Sequence, residues 1–341
     1  MTLGNTSLNY TAPPEDIPVP GKHLKRVTQD NFDPGAVQLD GGILVRVKAA
    51  SLDPYMRGRM RDPSVKSYNT PFTLDAPLQT YAVGIVSRSE HPDVKEGDIY
   101  RGRIQFAEWA VVRQDEVLAG DARVLKNEEG LAFTTLVGAA GMPGATAWIG
   151  LYNIGKPKSG ETIFVSAASG AVGQIVCQLA KREGLKVIGS AGSDEKVEFL
   201  KAIGVDVAFN YKTQSTFDIL SQHPFDLYFE NVGGITLDAV LATISNKGRI
   251  IACGSVSGYN VPKEKQYRLQ NYGNVVTKTL RWEGFIVSQN DTSTFEREFP
   301  KLIKSGEVKV KEHITQGIDN GEAFVDMLEG KNFGKAVVSL E

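Results

Sequence analysis

Between residues 130 and 305, short apolar runs alternate with stretches whose apolar residues recur every three or four positions. The runs "ETIFVSAA" (161–168), "KVIGS" (186–190), "VDVAFN" (205–210), "FDLYFE" (225–230), "GRIIACG" (248–254) and "TLRWEGFIV" (279–287) predict six strands. Between them, "GAVGQIVCQLAKREG" (170–184), "SDEKVEFLKAIG" (193–204), "TQSTFDILSQH" (213–223) and "GITLDAVLATIS" (234–245) predict helices, the second with Ser193 as its N-cap. Strand–helix alternation with near-continuous apolar strands indicates a parallel, doubly wound α/β sheet.

Residues 1 to about 125 follow another pattern. "GGILVRVKAASLDP" (41–54), "YAVGIVSRS" (81–89), "EGDIYRGR" (96–103) and "FAEWAVVRQDE" (106–116) are short strands separated by Gly, Pro and Asp turns. The polar, proline-rich first twenty residues read as an extended arm. The chain end returns to "VKVKEHITQG" (308–317), a helix "NGEAFVDMLEG" (320–330) and a last strand "GKAVVSL" (334–340). The expected organisation is a β-rich domain from 1–129 and 306–341, with a nucleotide-binding domain of 130–305 inserted.

Composition narrows the class. The chain has 341 residues, 41% hydrophobic and 23% charged, with a net charge of −2. That balance gives no electrostatic case for nucleic acid or a membrane surface, and no run is long and apolar enough to span a bilayer. Two cysteines, Cys177 and Cys253, fit a reducing compartment, so a cytoplasmic location is expected.

The candidate chemistry starts at "VSAASGAVGQ", where Ala168-x-Gly170-x-x-Gly173 follows a strand and opens a helix. Gly170 admits a pyrophosphate close to the backbone, Gly173 lets the helix pack on the strand, and the helix N-terminus faces the negative charge. An NAD site usually carries Asp or Glu about twenty residues further on. Here the second strand runs into Ser190, Ala191, Gly192 and Ser193, with Lys196 one turn later. Small residues and a cation suit a ribose phosphate, so NADPH/NADP+ is the expected cofactor; the plainer alternative is that Lys196 is a solvated helix-face lysine. A zinc site needs three or four converging ligands, and the two cysteines and four histidines are scattered, so no metal is expected.

The stretch "GMPGATAWIGLYNIGKPKSGETIFVSAASGAVGQ" resembles the zinc-independent medium-chain dehydrogenase/reductases. "SLDPYMRGRM", "AGSDEKVEFLK", "AFNYK", "LYFENVGG", "CGSVSGYN", "EGFIV" and "GKNFGKAVV" resemble, in order, blocks of their leukotriene hydroxydehydrogenase, prostaglandin reductase and alkenal double-bond reductase branch. The resemblance implies a GroES-like domain beside a Rossmann domain, a homodimer, and reduction of a small-molecule enal or enone. It implies that Gly170, Ala171, Val172 and Gly173 hold the pyrophosphate and that Lys196 and Tyr211 meet the ribose phosphate. It places Asn231 and Cys253, Gly254, Ser255, Val256, Ser257 and Tyr259 along the ribose and nicotinamide. Phe285, Ile286 and Val287 would hold the carboxamide, Asn332 would close the site, and Tyr55 resembles a substrate-pocket residue. Tyr81 stands where the family has a glycine-richer stretch, near the expected substrate mouth.

Tyr259 falls on the family's tyrosine at the reacting centre. Reducing an activated C=C bond leaves charge on the carbonyl oxygen, and a neutral phenol donates to it. Tyr259 is therefore the expected enolate stabiliser or proton donor, with Tyr55 and Tyr81 in reserve; otherwise it packs on cofactor while water gives the proton. Competing functions are a quinone oxidoreductase, an allylic alcohol dehydrogenase and a non-catalytic NADPH-binding protein.

Overall fold

The computed structural model describes residues 3–341. In chain order, the first segment holds strands β1 (Leu3–Tyr10), β2 (Leu24–Phe32) and β3 (Ile43–Ser51), helix α1 (Tyr55–Arg59), then β4 (Ala76–Pro77), β5 (Gln79–Ser89), β6 (Ile99–Gln105), β7 (Trp109–Val112), β8 (Arg123–Leu125) and α2 (Phe133–Val137). The middle segment follows with α3 (Met142–Trp148), β9 (Thr162–Val165), α4 (Gly173–Arg182), β10 (Lys186–Ala191), α5 (Asp194–Ala202), β11 (Val207–Asn210), α6 (Thr216–Gln222), β12 (Leu227–Glu230), α7 (Gly234–Thr243), β13 (Arg249–Ala252), α8 (Asn274–Thr277), β14 (Arg281–Gly284) and α9 (Ser293–Lys304). The chain closes with β15 (Glu312–Gln316), α10 (Glu322–Leu328) and β16 (Lys335–Ser339).

Contacts divide this chain into two units. The first holds the chain up to Gly138, Glu312–Asn332 and Ala336–Glu341; the second holds Ala139–Lys311 and Phe333–Lys335. The junctions lie beyond the 129/130 and 305/306 of the sequence reading for local reasons. Leu136 and Val137 of α2 pack with Ala49, Val83 and Val337, which keeps α2 in the first unit. Residues 306–311 are held by two buried glutamines of α4. Gln178 exchanges a pair of amide bonds with the backbone of Lys309 (2.8 Å each), and Gln174 does the same with Lys311 (2.8 and 3.0 Å). Spaced one helical turn apart, the two amides replace a strand partner. The run "VKVKEHITQG" therefore becomes strand only at β15.

The first unit is β-rich. Seven strands, mostly antiparallel neighbours, run in the order β15-β16-β3-β5-β6-β8, with β7 also on β3, and a second small sheet runs β2-β1-β4. The N-terminal residues are thus no free arm: β1 pairs with β2 from Leu3↔Phe32 to Tyr10↔Leu24 and buries Leu8 and Tyr10. Its alternation Leu8–Tyr10 is too short a signal to read without the partner strand.

The second unit is a parallel sheet of order β11-β10-β9-β12-β13-β14, the doubly wound order in which chain direction reverses between the first and fourth strands. Buried Ile163, Val165, Val187, Leu227 and Phe229 face α4 and its neighbours on one side; Phe164, Ile188, Tyr228 and Ile250 face α7 on the other. The six expected strands are present. The last is shorter than "TLRWEGFIV" suggests, because β13 ends at Ala252↔Gly284 and Phe285 has no further strand to pair with.

Candidate active site

Ligands of such sheets bind where neighbouring strands send their connections in opposite directions. That point lies between β9 and β12, and the glycine loop leaves β9 there. Ala167 adopts a left-handed φ of 47°, turning the chain sharply, and the Gly170 backbone bridges to Gly334. Helix α4 begins at Gly173 rather than Gly170. A Cβ on Gly173 would sit 2.4 Å from Ala167 O and 2.7 Å from Ala168 Cα, so only glycine permits this helix to lie on its strand. Gly170, Ala171 and Val172 stay partly exposed ahead of the helix N-terminus, where an anion is favoured.

At the end of β10, Ser193 caps α5 by accepting from Lys196 N–H at 3.3 Å. Asp194 is committed elsewhere: its Oδ1 accepts from Asn210 Nδ2 at 2.8 Å. Tyr211, half exposed, leans over Gly192, where a Cβ would meet its Oη at 2.9 Å. Lys196 is half-buried, and burial followed by the nearby Lys212 charge lowers its pKa. Lys212 was missed in the sequence. Two cations, a phenol and a glycine gather here, with no carboxylate at the strand end, which fits a phosphate better than a ribose diol.

The ends of β12 and β13 form one hydrogen-bonded unit. Glu230 Oε1 accepts from Val232 and Gly233 N–H, both at 2.7 Å, and lies 2.8 Å from Tyr228 Oη. Asn231 turns back on β9, donating from N–H to Ser166 Oγ (3.1 Å) and from Nδ2 to Ser166 O (2.8 Å). The backbone of this turn carries the glycine loop after β13. Cys253 and Gly254 donate to Glu230 O (3.0 Å each), Val256 to Asn231 O (3.1 Å) and Ser257 to Val232 O (2.9 Å). Gly233, at φ 75°, leaves the space: a Cβ there would lie 2.8 Å from Ser255 Cβ. Burial and the Glu230 charge push the Cys253 thiol up to about 12, so it is no thiolate nucleophile. Tyr259 ends the loop with its Oη accepting from Ser255 N–H at 3.4 Å. Phe285, Ile286 and Val287 follow β14, and Phe285 and Val287 pack partly on the core.

The first unit holds Tyr55, Tyr81 and Asn332. The Tyr55 and Tyr81 rings meet edge to face at 6.2 Å. Tyr55 Oη is buried with no hydrogen-bond partner among the described residues. Burial raises both phenols well above their ordinary range, with Asp53 adding to Tyr55 and Asp121 to Tyr81, so both stay neutral donors. The sequence-selected residues thus fall into a second-unit set around the sheet's carboxyl ends and a first-unit set of the two phenols and Asn332. Among the described residues, no three His, Cys, Asp or Glu side chains gather as metal ligands would.

A parallel sheet of this order, with a glycine loop at its reversal point and a phosphate-type cation pair beyond it, defines a dinucleotide-binding domain. Comparison with known proteins agrees. Residues 171–305 match the family model described as zinc-binding dehydrogenase, and 26–119 that described as N-terminal domain of oxidoreductase. The NADP-dependent oxidoreductase RED1 of Cochliobolus heterostrophus is 40% identical over 98% of this chain and 97% of its own. The NADP(+)-dependent 2-alkenal reductase of Nicotiana tabacum is 39% identical over 87% and 86%. The crystal structure of CurA in complex with NADPH from Vibrio vulnificus superposes with a TM-score of 0.85 at 32% identity, covering 98% of this chain and 99% of that one. The chain belongs to the medium-chain dehydrogenase/reductases, in the zinc-independent branch of the alkenal reductases.

Proposed function

We propose that this protein is an NADPH-dependent reductase of the C=C bond of α,β-unsaturated aldehydes and ketones. The observation that carries the reading is the phenol of Tyr259, held on a glycine loop at the carboxyl end of β13 and hung on the turn at the reversal point. In this reading Gly170, Ala171, Val172 and Gly173 hold the pyrophosphate, Lys196, Tyr211 and Lys212 the ribose phosphate, and Asn231, Cys253–Ser257 and Phe285–Val287 the nicotinamide side. When bound, NADPH supplies a hydride for the β-carbon of the substrate. Tyr259 donates a hydrogen bond to the carbonyl oxygen as enolate charge develops there, which stabilises that charge more than the ground state. Tyr55 and Tyr81 are the substrate-pocket residues, and Asn332 closes the cofactor end.

Tyr259→Phe tests this. It removes one oxygen and little volume, so NADPH affinity survives while the single-turnover rate of NADPH oxidation by an enone falls. Acid catalysis contributes about 10²–10⁴-fold, and partial replacement by water puts the expected loss near the lower end. An unchanged rate at saturating cofactor would return Tyr259 to a packing role.

We also propose a homodimer. The edge strand β14 pairs on one side only and exposes Trp282 at 36%, with exposed Tyr272 and Val276 nearby in sequence; unprotected edges of this kind favour strand addition. Light scattering should give twice the 37.1 kDa chain mass; a monomer at micromolar concentration refutes it. The two unbridged cysteines support a cytoplasmic location.

A further inference from the structure

Among the described residues, Glu230 is the one carboxylate sunk among the carboxyl ends of the sheet. It is 3% exposed, and its Oε2 has no hydrogen-bond partner among the described residues. A buried charge without full pairing is expensive, so a group of this kind needs an account. Its other oxygen supplies one: Oε1 gathers the Val232 and Gly233 N–H groups and the Tyr228 hydroxyl. Those two N–H groups define the turn whose carbonyls, at Glu230, Asn231 and Val232, receive the loop leading to Tyr259.

We infer that Glu230 is a positioning residue for hydride transfer, its carboxylate fixing the Asn231–Gly233 turn and through it the placement of the Tyr259 phenol. This rests on the proposed role of Tyr259. The carboxylate grips the two N–H groups through charge-assisted bonds, which are roughly twice as strong as neutral ones. Protonation on the unpartnered Oε2 relaxes that grip without emptying the site. Burial raises this carboxyl to about 7 despite its three donors, so both states are populated near neutrality. The titratable groups facing it are Tyr228 on its own strand and Cys253 at the end of β13, both held neutral by burial.

The test compares wild type, Glu230→Gln, Tyr259→Phe and the double variant in single-turnover NADPH oxidation by an enone at saturating cofactor, from pH 6 to 8.5. Glutamine resembles the protonated acid. Wild type should gain about tenfold in rate as pH rises through about 7, an effect on the scale of small misplacements in a reacting geometry. Glu230→Gln should stay flat at the low-pH level and add nothing to Tyr259→Phe. A second readout needs no turnover: the infrared band of a buried protonated carboxyl in the cofactor-free protein should titrate near neutrality and vanish in Glu230→Gln. A Glu230→Gln rate equal to wild type across the range, an equal slowing in the Tyr259→Phe background, or no such band overturns the inference. A slow Tyr259→Phe beside an unaffected Glu230→Gln removes the inference alone. An unchanged Tyr259→Phe removes the catalytic reading and this inference with it. The wild-type profile is read without any variant, so a Glu230→Gln that fails to fold still leaves the idea open to refutation.

Discussion

The sharpest stability prediction concerns the same carboxyl, because its environment assigns both sign and size. In the unfolded chain Glu230 titrates near the ordinary 4.5; in the fold, burial carries it to about 7. The folded protein therefore binds a proton that the unfolded chain has released between these values. Stability is greatest below pH 4.5 as far as this group is concerned, and it falls as pH rises from about 4.5 to 7, then levels. Each pKa unit corresponds to 1.36 kcal/mol, so the loss is about 3 kcal/mol. At 3% exposure the group gets little relief from solvent screening. Glu230→Gln carries no proton to lose and should be flat in this respect. The difference between the variant and wild type should thus grow by about 3 kcal/mol in favour of glutamine from pH 4.5 to 8. For 341 residues, an unfolding entropy near 0.7 kcal/mol/K converts this to about 4–5 °C in Tm. Paired thermal melts of the two proteins across that range provide the assay, and their difference cancels every other titrating group. A difference that stays constant, or that grows in favour of wild type, would show that the three donors outweigh burial and that Glu230 is ionised throughout.

Lys196→Ala should weaken NADPH by about ten- to a hundredfold and leave NADH nearly unchanged, since a charge-assisted bond contributes roughly 1.5–3 kcal/mol; fluorescence titration with both cofactors checks it, and equal losses would take the phosphate away from Lys196. Lys212→Ala should show the same selectivity to a smaller degree, because Lys212 is exposed. Gly173→Ala places a Cβ 2.4 Å from the Ala167 carbonyl, against backbone that cannot swing away, so α4 must shift; overpacking of this kind costs about 1–3 kcal/mol. Urea denaturation should register that loss together with weaker NADPH binding, and wild-type stability would refute the close approach of helix and strand.

Much of the second unit is legible from local pattern. The six apolar runs and their helices follow from side-chain periodicity, and the glycine spacing at 170 and 173 follows from a local steric demand that any chain making this turn must meet. The absence of a carboxylate at the β10 tip is likewise a local fact. Partners distant in sequence decide the rest. β1 becomes a strand because β2 is there to pair with it, and 306–311 leaves the strand state because Gln174 and Gln178, over 130 residues earlier, take its backbone groups. Phe285–Val287 stops being strand because β13 has already turned into its loop. Glu230 reads in sequence as one more acid in "LYFENVGG"; its three donors lie within three residues of it, but its burial exists only once β12 lies between β9 and β13. Lys212 beside Lys196 likewise depends on β10 and β11 lying side by side, with Ala191 opposite Asn210. Periodicity and turn sterics act within a few residues and are written along the chain, whereas pairing, burial and the fields that shift a pKa depend on which distant segments the tertiary fold brings together.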